Sequence, residues 1–296
     1  TRESAAILHG IELWGTNPDV SFAVRGRCRS LRLPEVRLGD ATLPPGPARP
    51  MAPDAEHSAV VIARGLRATS LEATAVDCAL DLLPLPAFVI VSGILRAMAQ
   101  FDRFTLVESR DRERRAKAAL LARLKTTGAD SPRARHARTL IEMADGACES
   151  VGERVVHFVL ITLFPKIVTT QLEVRTKGRT YFLDFGILGL KIAIEFDGII
   201  KMGEDPASFR KAQAELLARQ RDLEDAGWTV IRVGWDELLD LTALRDKLYR
   251  RIIAVAARPM LPDGRTQDLW TREIASRGFV RAARRRKDEA EHPDAR

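Results

Sequence analysis

The chain has 296 residues, of which 46% are hydrophobic and 29% charged, a balance that fits a folded globular protein and excludes disordered and collagen-like classes. A formal charge of +7 favours a polyanionic partner, nucleic acid before membrane, because clustered Lys and Arg replace phosphate counterions. Three widely separated cysteines, Cys28, Cys78 and Cys148, suggest neither a disulfide framework nor a zinc knuckle, five scattered histidines lack metal-ligand spacing, and a reducing cytoplasm is the expected compartment.

Residues 17–66 mix short apolar runs, Val20 to Val24 and Ala59 to Ala63, with a Pro-rich stretch, Leu43 to Pro53, that cannot be helical. They read as a small β-rich segment with a loop. At Thr69-Ser-Leu-Glu72 a capping box opens a helix, and Ala75, Val76, Ala79, Leu80 and Leu83 follow at helical spacing. The most apolar stretch, Leu82 to Ala99, contains Pro84 and Pro86 and is short for a bilayer span, so it predicts a buried helix and no membrane partner. The alternating charges of Glu108 to Leu124 predict an exposed helix face, and another helix runs from about Ala134 to Met143. Residues 1–144 are thus expected to form a smaller α+β domain.

After Asp145-Gly146 the pattern changes. A helix from about Ser150 to Leu163 leads to three strand-like runs, Leu172 to Arg175, Thr180 to Ile187 and Leu190 to Asp197. A polar helix from about Pro206 to Ala226 ends at Gly227, Trp228 to Val233 reads as a buried strand, and Asp236 to Ala256 as an amphipathic helix. The order is α-β-β-β-α-β, expected to form an α/β domain with a mixed sheet over 145–258. Residues 259–296 read as an extension whose tail, Arg281 to Arg296, is basic and disordered. Oligomeric state is not legible.

Strand alternation singles out the chemistry. Ile192, Ile194 and Phe196 point one way, and Lys191, Ala193, Glu195 and Asp197 the other. In the preceding run Phe182, Asp184 and Gly186 share a face opposite Tyr181, Leu183 and Phe185, and the short connection at Leu188-Gly189 folds both runs into a hairpin that brings Asp184 near Glu195. Ionised carboxylates gathered at the rim of an apolar sheet repel unless a cation lies between them. Mg²⁺ or Mn²⁺ is the expected occupant, since such ions prefer oxygen ligands and are held by one or two carboxylates plus a substrate phosphate. Lys201, at the turn after Gly198, is placed to support a nucleophile, and Lys191 is an alternative.

This spacing resembles the PD-(D/E)XK restriction-endonuclease-like superfamily: Asp184, Glu195-Phe-Asp-Gly198, Lys201, a polar helix, then Gly227-Trp-Thr-Val-Ile-Arg232. Within it the chain is similar to very-short-patch-repair-like endonuclease domains at the C-terminus of actinobacterial proteins whose N-terminal region resembles abortive-infection antitoxins. There Glu149-Ser-Val-Gly-Glu153 matches the start of the first core helix, and Gln171 a glutamine before the first strand. The resemblance covers roughly residues 145–245, with a looser likeness upstream at Ala5 to Gly10 and Ala68 to Asp77. It implies a divalent-metal-dependent endonuclease or nickase acting on DNA rather than RNA. Asp184 and Glu195 would hold the metal, Glu153, Asp197 and Gln171 would assist, Lys201 would support the nucleophile, and Lys191, Arg210, Lys211 and Arg219 would meet the nucleic acid. One departure is plain: where the motif has Glu-x-Lys, this chain has Glu195-Phe-Asp197, so the basic group must come from elsewhere. That departure keeps a second expectation open, a non-cleaving nucleic-acid-binding or antitoxin-like regulator. Ordinary alternatives exist for single residues: Ser150 to Glu153 is also a capping box, Asp197-Gly198 also a turn, and the helix cations also a solvated face.

Overall fold

The computed structural model describes residues 1–15, 18–24, 26–39, 41–51, 60–127, 131–198, 206–258 and 260–276, without the side chains of 38, 41 and 206–213. A short helix, α1 (Arg2–Leu8), precedes seven strands: β1 (Val20–Ala23), β2 (Leu31–Leu33), β3 (Val36–Leu38), β4 (Ala41–Leu43), β5 (Gly46–Met51), β6 (Val60–Ala63) and β7 (Leu66–Thr69). They form a three-stranded sheet in the order β1-β5-β2 and two hairpins, β3–β4 and β6–β7. The Pro-rich stretch expected to loop is therefore mostly strand, and the register explains how. Pro47 pairs only with β2 and Pro50 only with β1, so each proline leaves its missing N–H on an unpaired side.

Helix α2 (Leu71–Asp81) is capped by Ser70, whose Oγ accepts from the Ala73 N–H, rather than by the expected Thr69. Thr69 still belongs to β7, and its hydroxyl lies 2.8 Å from that of Thr74. In α3 (Pro84–Ala99) both prolines occupy the first turn, where backbone N–H groups have no helical acceptor, and the helix interior is buried as expected. No single helix among the described residues is long and apolar enough to cross a membrane. A 3₁₀ turn (Arg103–Thr105) leads to α4 (Leu106–Thr126), followed by α5 (Pro132–Met143) and α6 (Val151–Leu163).

Strands β8 (Thr169–Thr176), β9 (Arg179–Ile187) and β10 (Ile192–Asp197), helix α7 (Pro206–Asp225) and strand β11 (Thr229–Gly234) then complete the expected order. The sheet runs β11-β10-β9-β8. It is mixed: β10 and β11 are parallel, joined by α7, whereas β9 is antiparallel to both its neighbours. The last predicted helix is divided into a 3₁₀ turn (Asp236–Leu239) and α8 (Leu241–Ala256), because Asp240 accepts from the N–H groups of Thr242 and Ala243 and restarts the helix. Residues 264–276 form a further helix, α9.

One face of the mixed sheet, with Phe185, Ile187, Ile192, Ile194, Ile231 and Val233, packs on helices α3, α6 and α8. The other meets α7 through Leu183, Ala193, Leu223 and Trp228. The main apolar cluster also takes in Phe88, Leu120 and Ile141, so the division expected at 144/145 falls within one continuous core. At that point a Cβ on Gly146 would come within 3.0 Å of the Arg96 backbone nitrogen, a backbone-to-backbone approach that requires glycine. Part of the expected extension packs too. Leu269 and Trp270 of α9 join the cluster, and the buried Glu273 accepts from the Leu85 N–H at the start of α3. The basic tail at 281–296 lies outside the described residues.

Candidate functional site

The last paired residues of β9 and β10 are Phe185 and Ile194; one step further the same register sets Asp184 opposite Glu195. There the ladder stops. The Phe196 N–H bonds to the Asp184 carboxylate at 2.9 Å, and the Phe182 carbonyl accepts from the Arg219 guanidinium at 2.6 Å. Side chains thus satisfy the backbone groups that the parting strands release.

The strict alternation expected along β9 also fails at this point. Phe185 enters the main cluster, whereas Leu183, which should share its face, enters the second with Ala193 and Trp228. The irregularity extends to the neighbouring strand. Pairing runs Thr170 to Phe185 and Leu172 to Leu183, and between them Gln171 adopts φ 48, a left-handed conformation costly for a residue with a Cβ. Gln171, Asp184 and Glu195 therefore lie in a row across three strands. Gln171 is 1% exposed, and its side-chain carbonyl oxygen has no hydrogen-bond partner among the described residues.

Electrostatics binds the group together. Burial, then the charge of Asp184, pushes Glu195 up to about 8. Glu195 is 8% exposed, and both its oxygens accept from Arg219, at 2.8 and 2.9 Å. Burial also raises Asp184, against the Phe196 N–H and Arg219, which lower it. Glu153, at the start of α6, is pushed up to about 7 by burial and by Asp184. Its capping box is present as well: Ser150 Oγ accepts from the Glu153 N–H, and Glu153 accepts from the Glu149 N–H and the Ser150 hydroxyl. Capping and proximity to Asp184 are thus compatible roles for one side chain. α6 is fixed against the site by Gly152, where a Cβ would meet the Phe196 ring at 2.1 Å.

The remaining candidates are more dispersed. Asp197 pairs with Arg232 of β11 at 2.5 Å. Lys191 immediately precedes β10, at the end opposite the acidic pair, with φ 48, and its ammonium donates to the Ala226 carbonyl just past α7. Arg219, expected to meet nucleic acid, donates to both Glu195 oxygens. Lys201 and the side chains of Arg210 and Lys211 lie outside the described residues. No three His, Cys, Asp or Glu side chains among the described residues form a ready ligand group for a metal ion; the convergence here is of two carboxylates.

Sequence reasoning missed the rim. Arg96 and Arg103, from the helical half of the chain, reach Glu149 at 3.6 and 3.4 Å, beside the start of α6. Nothing in local periodicity marks such a contact across some fifty positions. For Arg219 a signal existed: it lies four residues before the buried Leu223, on the stripe of α7 that faces the sheet. Comparison with family models, with curated proteins and with solved structures finds no match to this chain.

Proposed function

We propose that the chain is a divalent-metal-dependent nuclease of the PD-(D/E)XK type, cutting phosphodiester bonds of nucleic acid, DNA before RNA, with Asp184 and Glu195 as the metal-holding pair. The observation that carries this reading is the pair itself, a buried Glu195 and a half-buried Asp184 on parting strands, in which the charge of Asp184 adds to the cost of ionising Glu195. The donor set suits Mg²⁺ or Mn²⁺, hard ions that accept a site of one or two carboxylates completed by water and phosphate. When bound, such an ion supplies Lewis-acid polarisation of the scissile phosphate. The chain's own groups do the rest. Glu153, titrating near neutrality, is suited to take a proton from the attacking water. The Gln171 side-chain oxygen, without a partner among the described residues, can orient a water by accepting its hydrogen bond. Arg219, released from Glu195, would offer a planar guanidinium to phosphate oxygens in place of the motif's lysine, which this chain lacks.

The test is direct. Purified protein with supercoiled plasmid in Mg²⁺ or Mn²⁺ is expected to nick or linearise it, and Asp184→Asn and Glu195→Gln to slow the reaction by about hundredfold or more. Cutting that survives in both variants contradicts the reading. The Arg219–Glu195 ion pair favours one alternative, a non-cleaving nucleic-acid-binding regulator in which arginine permanently fills the place of the metal. Salt-dependent DNA binding without cleavage in any divalent ion would establish it.

A further inference from the structure

Phe104, in the 3₁₀ turn before α4, is 73% exposed, and so is Val107 one turn further on. A lone exposed phenylalanine is ordinary; the position of this one is informative. Its ring meets Phe182 edge-on, with centroids 5.7 Å apart, and Phe182 lies two residues along β9 from Asp184. The turn is held in shape by Asp102, whose carboxylate accepts from the Phe104 N–H at 2.9 Å. Arg103 places its guanidinium 5.3 Å from the centre of the Phe104 ring and reaches Glu149, and its charge is felt by Asp184.

We propose that Phe104, backed by Phe182 and flanked by Arg103, is a stacking platform for an unpaired nucleobase, so that the substrate of the acidic site is single-stranded or frayed nucleic acid. The inference rests on the phosphodiester reading above and names its substrate class. A nucleotide with its phosphate at Asp184 and Glu195 carries its base one sugar away, and the rings met in that direction along β9 are Phe182 and, outside it, Phe104. Stacking needs the open face of a base, which a base inside a duplex does not offer. Val107 widens the apolar floor. Arg103 adds a cation beside the ring, and a backbone phosphate can replace Glu149 as its partner, because that ion pair is partly exposed. The platform comes from the helical half of the chain, which makes that half part of the substrate site.

The experiment is equilibrium binding in EDTA, so that no strand is cut, using a single-stranded DNA oligonucleotide containing 2-aminopurine and its blunt duplex. The wild-type chain is expected to bind the single strand about tenfold more tightly than the duplex and to quench the 2-aminopurine emission. Phe104→Ala should lose the quench and about tenfold in single-strand affinity, and Phe104→Trp should restore both. Because Phe104 is exposed, its replacement should leave the thermal melt unchanged. Equal binding of single strand and duplex, or quenching and affinity unchanged in Phe104→Ala, overturns the platform, while metal-dependent cutting by the wild type would still support the nuclease. Absence of both binding and cutting overturns the two together.

Discussion

Glu195 is a carboxylic acid almost wholly out of water with a second acid beside it, and Arg219 is the positive charge that makes this tolerable. The pH consequence has a definite sign. Folding raises Glu195 from an ordinary value of 4.5 to about 8, and Glu153 to about 7, so the folded state holds their protons more tightly than the unfolded one. Their contribution is fully present below the ordinary value and is lost as pH rises from there through the raised values. In EDTA the melting temperature of the wild type is therefore expected to fall between about pH 5 and about pH 8, and in Glu195→Gln to fall less. Mg²⁺ should restore the wild type at the upper end and leave the variant unmoved, which differential scanning fluorimetry would resolve. A wild-type melt that is flat in pH and indifferent to Mg²⁺ contradicts this account. At this scale the sequence made the acid pair legible, because period-two alternation and a short turn are local facts. It hid the charge state, since that depends on burial in the folded chain and on Arg219 of α7, neither of which a local pattern reports.

Elements were legible where their signals are local, and less so where neighbours decide. The order from α6 to β11 follows from caps, alternation and Gly227. The break in alternation at Asp184 does not: it coincides with the left-handed Gln171 on the neighbouring strand, a pairing between positions far apart in the sequence. Likewise β5 could not be foreseen as a central strand, since its prolines are admitted only by the short overlap of its two partners. The contact between α6 and β10 is testable through Gly152. Gly152→Ala would press a methyl group into the Phe196 ring, already packed edge-on against Trp235 at 5.2 Å. The expected cost is about 1–3 kcal/mol, seen as a lower urea midpoint with an unchanged slope. Because Phe196 adjoins Glu195 and donates to Asp184, metal-dependent activity should fall at temperatures where the variant remains folded. Wild-type stability and activity in Gly152→Ala would show that this packing does not hold the site.

For the molecule as a whole, texture changes at Thr69 and Gly146 showed where the character of the chain alters, yet not whether the parts share a core. They do: the main cluster runs from Ala6 to Trp270, and Asp145 ties α4 to β8 by accepting from Arg110 at 2.9 Å and from the Thr170 hydroxyl at 2.7 Å. Such contacts join positions far apart in the sequence, which is why composition and periodicity are silent about them. The helical half thus both supports the sheet and supplies the rim of the acidic site through Arg96 and Arg103. The proposed activity requires that Asp184 and Glu195 bind a divalent cation that takes over the role of Arg219. Anomalous diffraction from crystals soaked in Mn²⁺ measures this directly. A peak at coordination distance from both carboxylates, with the Arg219 guanidinium displaced from Glu195 and the peak lost in Asp184→Asn, is the result expected. A crystal that takes up Mn²⁺ elsewhere, or not at all, while Arg219 keeps both bonds to Glu195, would contradict it.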